Sequence, residues 1–119
     1  MELFFWIIDL LIPVTMIIFG LLFKFIPPKK INYIYGYRSA RSMKSLEAWT
    51  YAHSRISVIW LNMGLVLALV ICLSKLFAPV PEESLSIVHA GLGLIVLIIG
   101  IPFVEKDLKA KFDDNGKPF

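Results

Sequence analysis

The sequence predicts an all-α fold: an integral membrane bundle of three transmembrane helices, the second extended at its cytoplasmic end. Three observations lead there. Of 119 residues, 58% are apolar and 18% charged, against roughly 45–50% and about 25% in ordinary globular chains. The apolar residues fall in three blocks of the length, roughly 20 residues, that a helix needs to cross about 30 Å of hydrocarbon. Polar residues are confined between and after these blocks, whereas a soluble domain this small has too much surface to hide so much hydrocarbon. Backbone polar groups in lipid must be satisfied within the segment, and three runs cannot close a barrel, so each block is a helix.

The first span covers about 3–26 and contains Asp9, Pro13 and Lys24. No basic segment precedes it, and Ile26-Pro27-Pro28 is a poor cleavage site, so it is expected to be a retained span. The two prolines end the helix, because proline disfavours helical geometry in the residue before it. A basic loop follows at 27–45, with Lys29, Lys30, Arg38, Arg41 and Lys44. Ser45 is the expected N-cap of the second helix and Glu47 suits its positive end. That helix should run from near Ser45 to about Phe77, with its hydrocarbon part at 56–77 carrying Asn62 and Lys75. The connection APVPEES holds Glu82 and Glu83 without Lys or Arg. The third span covers about 85–104 and includes His89 and Pro102, with Ala90, Gly91, Gly93 and Gly100 as small packing positions. The tail, 105–119, carries Lys106, Lys109, Lys111 and Lys117. The chain is thus one three-span membrane domain, 1–119. The distribution of Lys and Arg predicts loop and tail in the cytoplasm and the N-terminus outside.

The net charge of +3 belongs to residues flanking apolar runs. That placement fits a bilayer with anionic headgroups and argues against nucleic acid as a partner. Cys72 stands alone, which excludes an internal disulfide and a paired thiolate metal site. No HExxH, GxSxG or phosphate-loop pattern occurs, so no catalytic residue, cofactor or metal is expected and the reading leans away from an enzyme.

Helical spacing divides the second helix. Glu47, Tyr51, Arg55, Val58 and Asn62 share one sector, and Trp49, His53, Ile56 and Trp60 lie opposite. Charged and polar groups in membrane segments rarely face lipid, which would point Arg55 and Asn62 into the bundle or at a partner. The simpler alternative has Arg55 snorkelling to phosphates, with Trp49 and Tyr51 in an interfacial belt. His53 and His89 should sit on opposite sides of the membrane and cannot share a ligand set. Asp9 and His89 fall at similar depth and form a candidate intramembrane polar pair.

The stretch NYIYGYRSARSMKS, followed by EAW and AHS, resembles the signature of the SdpI/YfhL family of bacterial membrane proteins. Asn32, Gly36, Tyr37, Arg38, Ser42, Met43, Lys44, Ser45, Trp49, Ala52 and His53 match its pattern, and Ser39 replaces a usual Thr. The tail IPFVEKDL to Gly116 is similar to the family's ending. The resemblance implies an immunity protein that protects its bacterium against a secreted, membrane-active peptide toxin. With Arg55 added from the polar helix face, it nominates a functional motif of Asn32, Gly36, Tyr37, Arg38, Ser39, Lys44, Trp49, His53, Arg55 and Glu105. The expected form of that motif is an ordered cap over the helix ends, with Glu105 pairing Arg38 or Arg55. Two other readings remain open on the residues alone. Arg38, His53, Arg55 and Glu105 could form a site for a phosphorylated lipid headgroup, or Asp9 and His89 could serve a small ion-coupled transporter. Three helices make a thin bundle, which leaves room for a homo-oligomer.

Overall fold

The computed structural model describes residues 2–119. Three helices fill most of the chain: α1, Glu2–Phe25; α2, Leu46–Phe77; and α3, Glu82–Lys111. A single 3-10 turn, Ser42–Lys44, precedes α2. The helices pack side by side in a body 52 × 24 × 19 Å. All three are long and apolar enough to cross a membrane, and the chain is a multi-pass membrane protein.

Local chemistry explains the boundaries. The Ser45 hydroxyl accepts from the Ala48 amide at 3.0 Å, a side-chain N-cap that satisfies one of the free amides of the first turn. Glu82 and Glu83 occupy the first turn of α3, and Lys109 and Lys111 its last, each on the side the helix dipole favours. Pro13 and Pro102 lie inside helices, as membrane segments tolerate when neighbouring groups re-satisfy the freed backbone. α3 extends beyond the expected span 85–104 at both ends: it starts at Glu82, within the connection, and continues to Lys111, within the region read as tail. The extra turns bury Leu108 against the start of α2, where Ala48, Ala52 and Ile56 are also buried.

At 1.5 Å per residue, the 32 residues of α2 reach about 48 Å, well beyond a 30 Å hydrocarbon layer. The surplus forms the capped end, where the loop and tail fold back on the bundle. There Phe23, Val104, Leu108 and Phe112 pack with the first turns of α2. Mid-bundle, Met16, Leu67 and Ile71 form a second cluster. Two glycines set the crossing of α1 and α2. A Cβ on Gly20 would lie 2.9 Å from the Leu61 backbone nitrogen, and one on Gly64 would lie 2.9 Å from Ile17 Cγ1. Gly93 similarly admits Ile12, but Gly91 has open space before it and packs against nothing. Outward-facing leucines, isoleucines and valines such as Leu65, Leu69, Ile95 and Ile98 are exposed along the helices, as lipid contact requires.

Candidate functional site

The polar loop is a folded cap built on a few short-range bonds. Asn32 Oδ1 accepts from the amides of Ile34 at 3.0 Å and Tyr35 at 2.7 Å. Its side-chain nitrogen donates to the Lys30 carbonyl at 3.0 Å. This is the self-bonded turn that asparagine favours. The chain then passes Gly36 with φ +125°, a conformation that side-chain-bearing residues rarely adopt. A Cβ there would stand 2.7 Å from His53 Nε2 and 2.9 Å from Trp49 Cζ2. Gly36 therefore lets the loop lie directly on the aromatic face of α2.

That face is the floor of the cap. Trp49 and His53 are 0% and 1% exposed, with ring centroids 4.4 Å apart. Phe23 of α1 meets His53 edge-on at 4.9 Å. Trp49 Nε1 donates to the Pro28 carbonyl at 2.8 Å, holding the loop's start. The Tyr37 amide donates to His53 Nε2 at 2.7 Å, and His53 Nδ1 lies 2.7 Å from the Trp49 carbonyl. An imidazole that accepts at Nε2 and faces a carbonyl at Nδ1 is neutral with its proton on Nδ1. Both nitrogens are occupied.

Glu105 ties the loop to α3. Its Oε2 accepts from the Tyr37 hydroxyl at 2.7 Å and from the Ser39 hydroxyl at 2.9 Å. Burial first, then the bonded Glu105 carboxylate, push the Tyr37 phenol above its ordinary pKa. Ser42 closes the turn, accepting from the Ser39 amide at 2.9 Å, with its hydroxyl 3.0 Å from the Tyr37 and Ser39 carbonyls. Arg38 donates to the Tyr33 carbonyl and its side chain is otherwise exposed. Lys44 is exposed beside the C-terminal turn, where Ser45 donates to the Gly116 carbonyl.

Several expectations need correction. Glu105 pairs with neither Arg38 nor Arg55; its Oε2 holds the two loop hydroxyls instead. Arg55 instead meets Asp107 at 3.0 Å, with side chains 41% and 34% exposed. Asn62 is exposed rather than turned into the bundle, and Glu47, Val58 and Asn62 together mark the outward face of α2. The aromatic face is the buried one. Trp49 is thus a core residue rather than part of an interfacial belt, and the half-buried Tyr51 packs on Phe112 with centroids 5.7 Å apart. None of Arg38, His53, Arg55 and Glu105 bonds another: His53 and Glu105 hold Tyr37, Arg38 holds the Tyr33 carbonyl and Arg55 holds Asp107.

At the opposite end, where the short connection joins α2 to α3, a second polar group links all three helices. Asp9 Oδ2 of α1 accepts from Lys75 Nζ of α2 at 2.7 Å and lies 3.2 Å from His89 Nδ1 of α3. The Asp9 and Lys75 side chains are almost wholly buried. His89 Nε2 lies 2.6 Å from the Ser74 hydroxyl, and the Lys75 ammonium sits 4.9 Å from the Trp6 ring centroid. Lys75 is the member that sequence reasoning missed. Asp9 and Lys75 are the lone acid and lone base near this end of their antiparallel spans, which was a usable signal. Among the described residues, no cluster of His, Cys, Asp or Glu could hold a metal ion.

A membrane-embedded three-helix bundle, closed at one end by a hydrogen-bonded polar loop, is the class of protein that this architecture defines. The sequence model of the SdpI/YfhL protein family matches residues 29–104, from the start of the cap through most of α3, and the chain belongs to that family. It is also 45% identical over 53 residues to YfhL of Bacillus subtilis (strain 168), a protein described as uncharacterised. That match covers 44% of this chain and 48% of the relative, so the chain spans about half of the relative's length. No solved structure matches the chain.

Proposed function

We propose that this chain is a non-enzymatic membrane immunity protein of the SdpI type, protecting a bacterial cell against a membrane-active peptide toxin. Membership of the family supports the reading. The observation that carries it is the closure of the family motif on itself. Asn32, Tyr37, Ser39, Ser42, Trp49, His53 and Glu105 use their hydrogen-bonding groups on the loop and on one another. A general base or nucleophile needs a free lone pair or an activated hydroxyl facing a substrate. His53 and the Ser39 and Ser42 hydroxyls are engaged within the cap, which favours a scaffold over a reaction centre.

The excess of Lys and Arg on the loop and tail supports a cytoplasmic cap and an outward N-terminus. A toxin arriving from outside then meets the short connection and the helix ends at Val80 to Ser86. The Asp9–Lys75–His89 group beneath them fastens the three helices together. Asn62, exposed on α2, is a polar side chain that a second copy of the chain could satisfy. The test is survival and membrane potential of bacteria challenged with membrane-active peptide toxins. Cells expressing the wild type are compared with cells expressing the Glu82→Lys/Glu83→Lys variant at the same level. Protection by the wild type and its loss in the variant are expected. A wild type that protects against none of the toxins contradicts the proposal.

A further inference from the structure

A groove opens in the side of the bundle directly beneath the cap. α1 and α3 touch where Ile12 meets Gly93; a Cβ on that glycine would stand 3.0 Å from Ile12 Cδ1. Toward the cap the two helices separate around a cavity of about 600 Å³. Phe19 and Phe23 form one wall, Leu97 and Ile101 the other, and Trp60 of α2 lies at the floor. The rim is the loop segment that carries Arg38. The chemistry therefore changes along the groove, from aromatic and aliphatic between the helices to cationic at the cap.

Arg38 is well placed for an anion. It is exposed, gives one bond to the Tyr33 carbonyl, and pairs with no carboxylate among the described residues. A guanidinium carries five N–H donors, so most remain available. Ser39 adds no donor, because its hydroxyl and amide serve Glu105 and Ser42.

We propose that this groove binds one anionic glycerophospholipid of the surrounding leaflet, with an acyl chain between α1 and α3 and its phosphate on Arg38. A soluble phosphate compound would leave the apolar walls uncovered. A zwitterionic lipid would bring its own cation to a rim that already carries Arg38 without a carboxylate partner. The site does not depend on toxin immunity, and its test does not read immunity.

Native mass spectrometry of the full chain in mild detergent, titrated separately with phosphatidylglycerol and phosphatidylcholine, measures both affinities. One phosphatidylglycerol should bind about ten-fold tighter than phosphatidylcholine, whose choline ammonium brings a second cation beside Arg38. Arg38→Gln should erase that preference and Arg38→Lys should retain part of it, since an ammonium cannot bond phosphate bidentately. Leu97→Trp, which fills the groove, should weaken both lipids. sn-Glycerol 3-phosphate should fail to compete. Equal wild-type affinities, a preference that survives Arg38→Gln, or displacement by sn-glycerol 3-phosphate would overturn the proposal. If Arg38→Gln does not fold, the wild-type preference and Leu97→Trp decide: undiminished binding in Leu97→Trp also overturns it.

Discussion

The two ends of the bundle hold polar groups together in opposite ways. The capped end uses many mostly neutral bonds spread over a loop, a histidine, several hydroxyls and one carboxylate, and much of it is only half-buried. The opposite end concentrates its polarity in three titratable side chains, one from each helix, almost wholly removed from solvent. Buried ion pairs do not by themselves add much stability, because desolvation offsets their attraction. Breaking one by removing a single partner is costly, because the other charge is left uncompensated. The cap should therefore yield by degrees and the charged group all at once.

Asp9→Asn is the sharpest break. It leaves the Lys75 ammonium buried without its carboxylate and should cost about 3–5 kcal/mol in equilibrium unfolding in mixed micelles. The double variant Asp9→Leu/Lys75→Met should recover most of that loss. Next in size is Gly36→Ala, which forces a Cβ onto His53 at a positive φ. It should lose about 2 kcal/mol or more, whereas Gly91→Ala, facing open space, should lose nothing in the same assay. Tyr37→Phe removes one of two hydroxyls from Glu105 and should cost about 1 kcal/mol. It should also change the alkaline limb of stability. The folded phenol's pKa is raised, so its contribution is complete below about pH 10, the ordinary tyrosine value. It is lost as pH rises from there through the folded value, and a pH series of unfolding midpoints should show this limb in the wild type but not in Tyr37→Phe. Arg55→Ala should have the smallest effect, below about 1 kcal/mol, since both it and Asp107 are part-exposed.

The architecture was legible because it rests on block length and hydropathy, which need no knowledge of contacts. Ser45 as N-cap and the proline stop after α1 are local chemistry and were equally readable. The helix-face division of α2 was also visible, but not which face turned inward. The rule that membrane polar groups point inward favoured Arg55 and Asn62. For Arg55 the interior gave way to Asp107, which lies on the part of α3 read from sequence as tail, and Asn62 is exposed on the outer face. The aromatic face, with more area to bury, took the interior. The roles of Gly36 and Glu105 depend on contacts between residues far apart in the chain, which spacing cannot encode. The motif resemblance marked these residues without revealing what joins them.

The most direct test of the closed cap is hydrogen–deuterium exchange of the chain in lipid nanodiscs, read at the Tyr37 amide. That amide is bonded to His53 Nε2 across 16 residues of sequence, and only a folded cap can protect it. The account predicts exchange as slow as that of amides within α2, and loss of protection in Gly36→Ala. Exchange at the rate of an open loop in the wild type would contradict it, and the motif would then have its polar groups free.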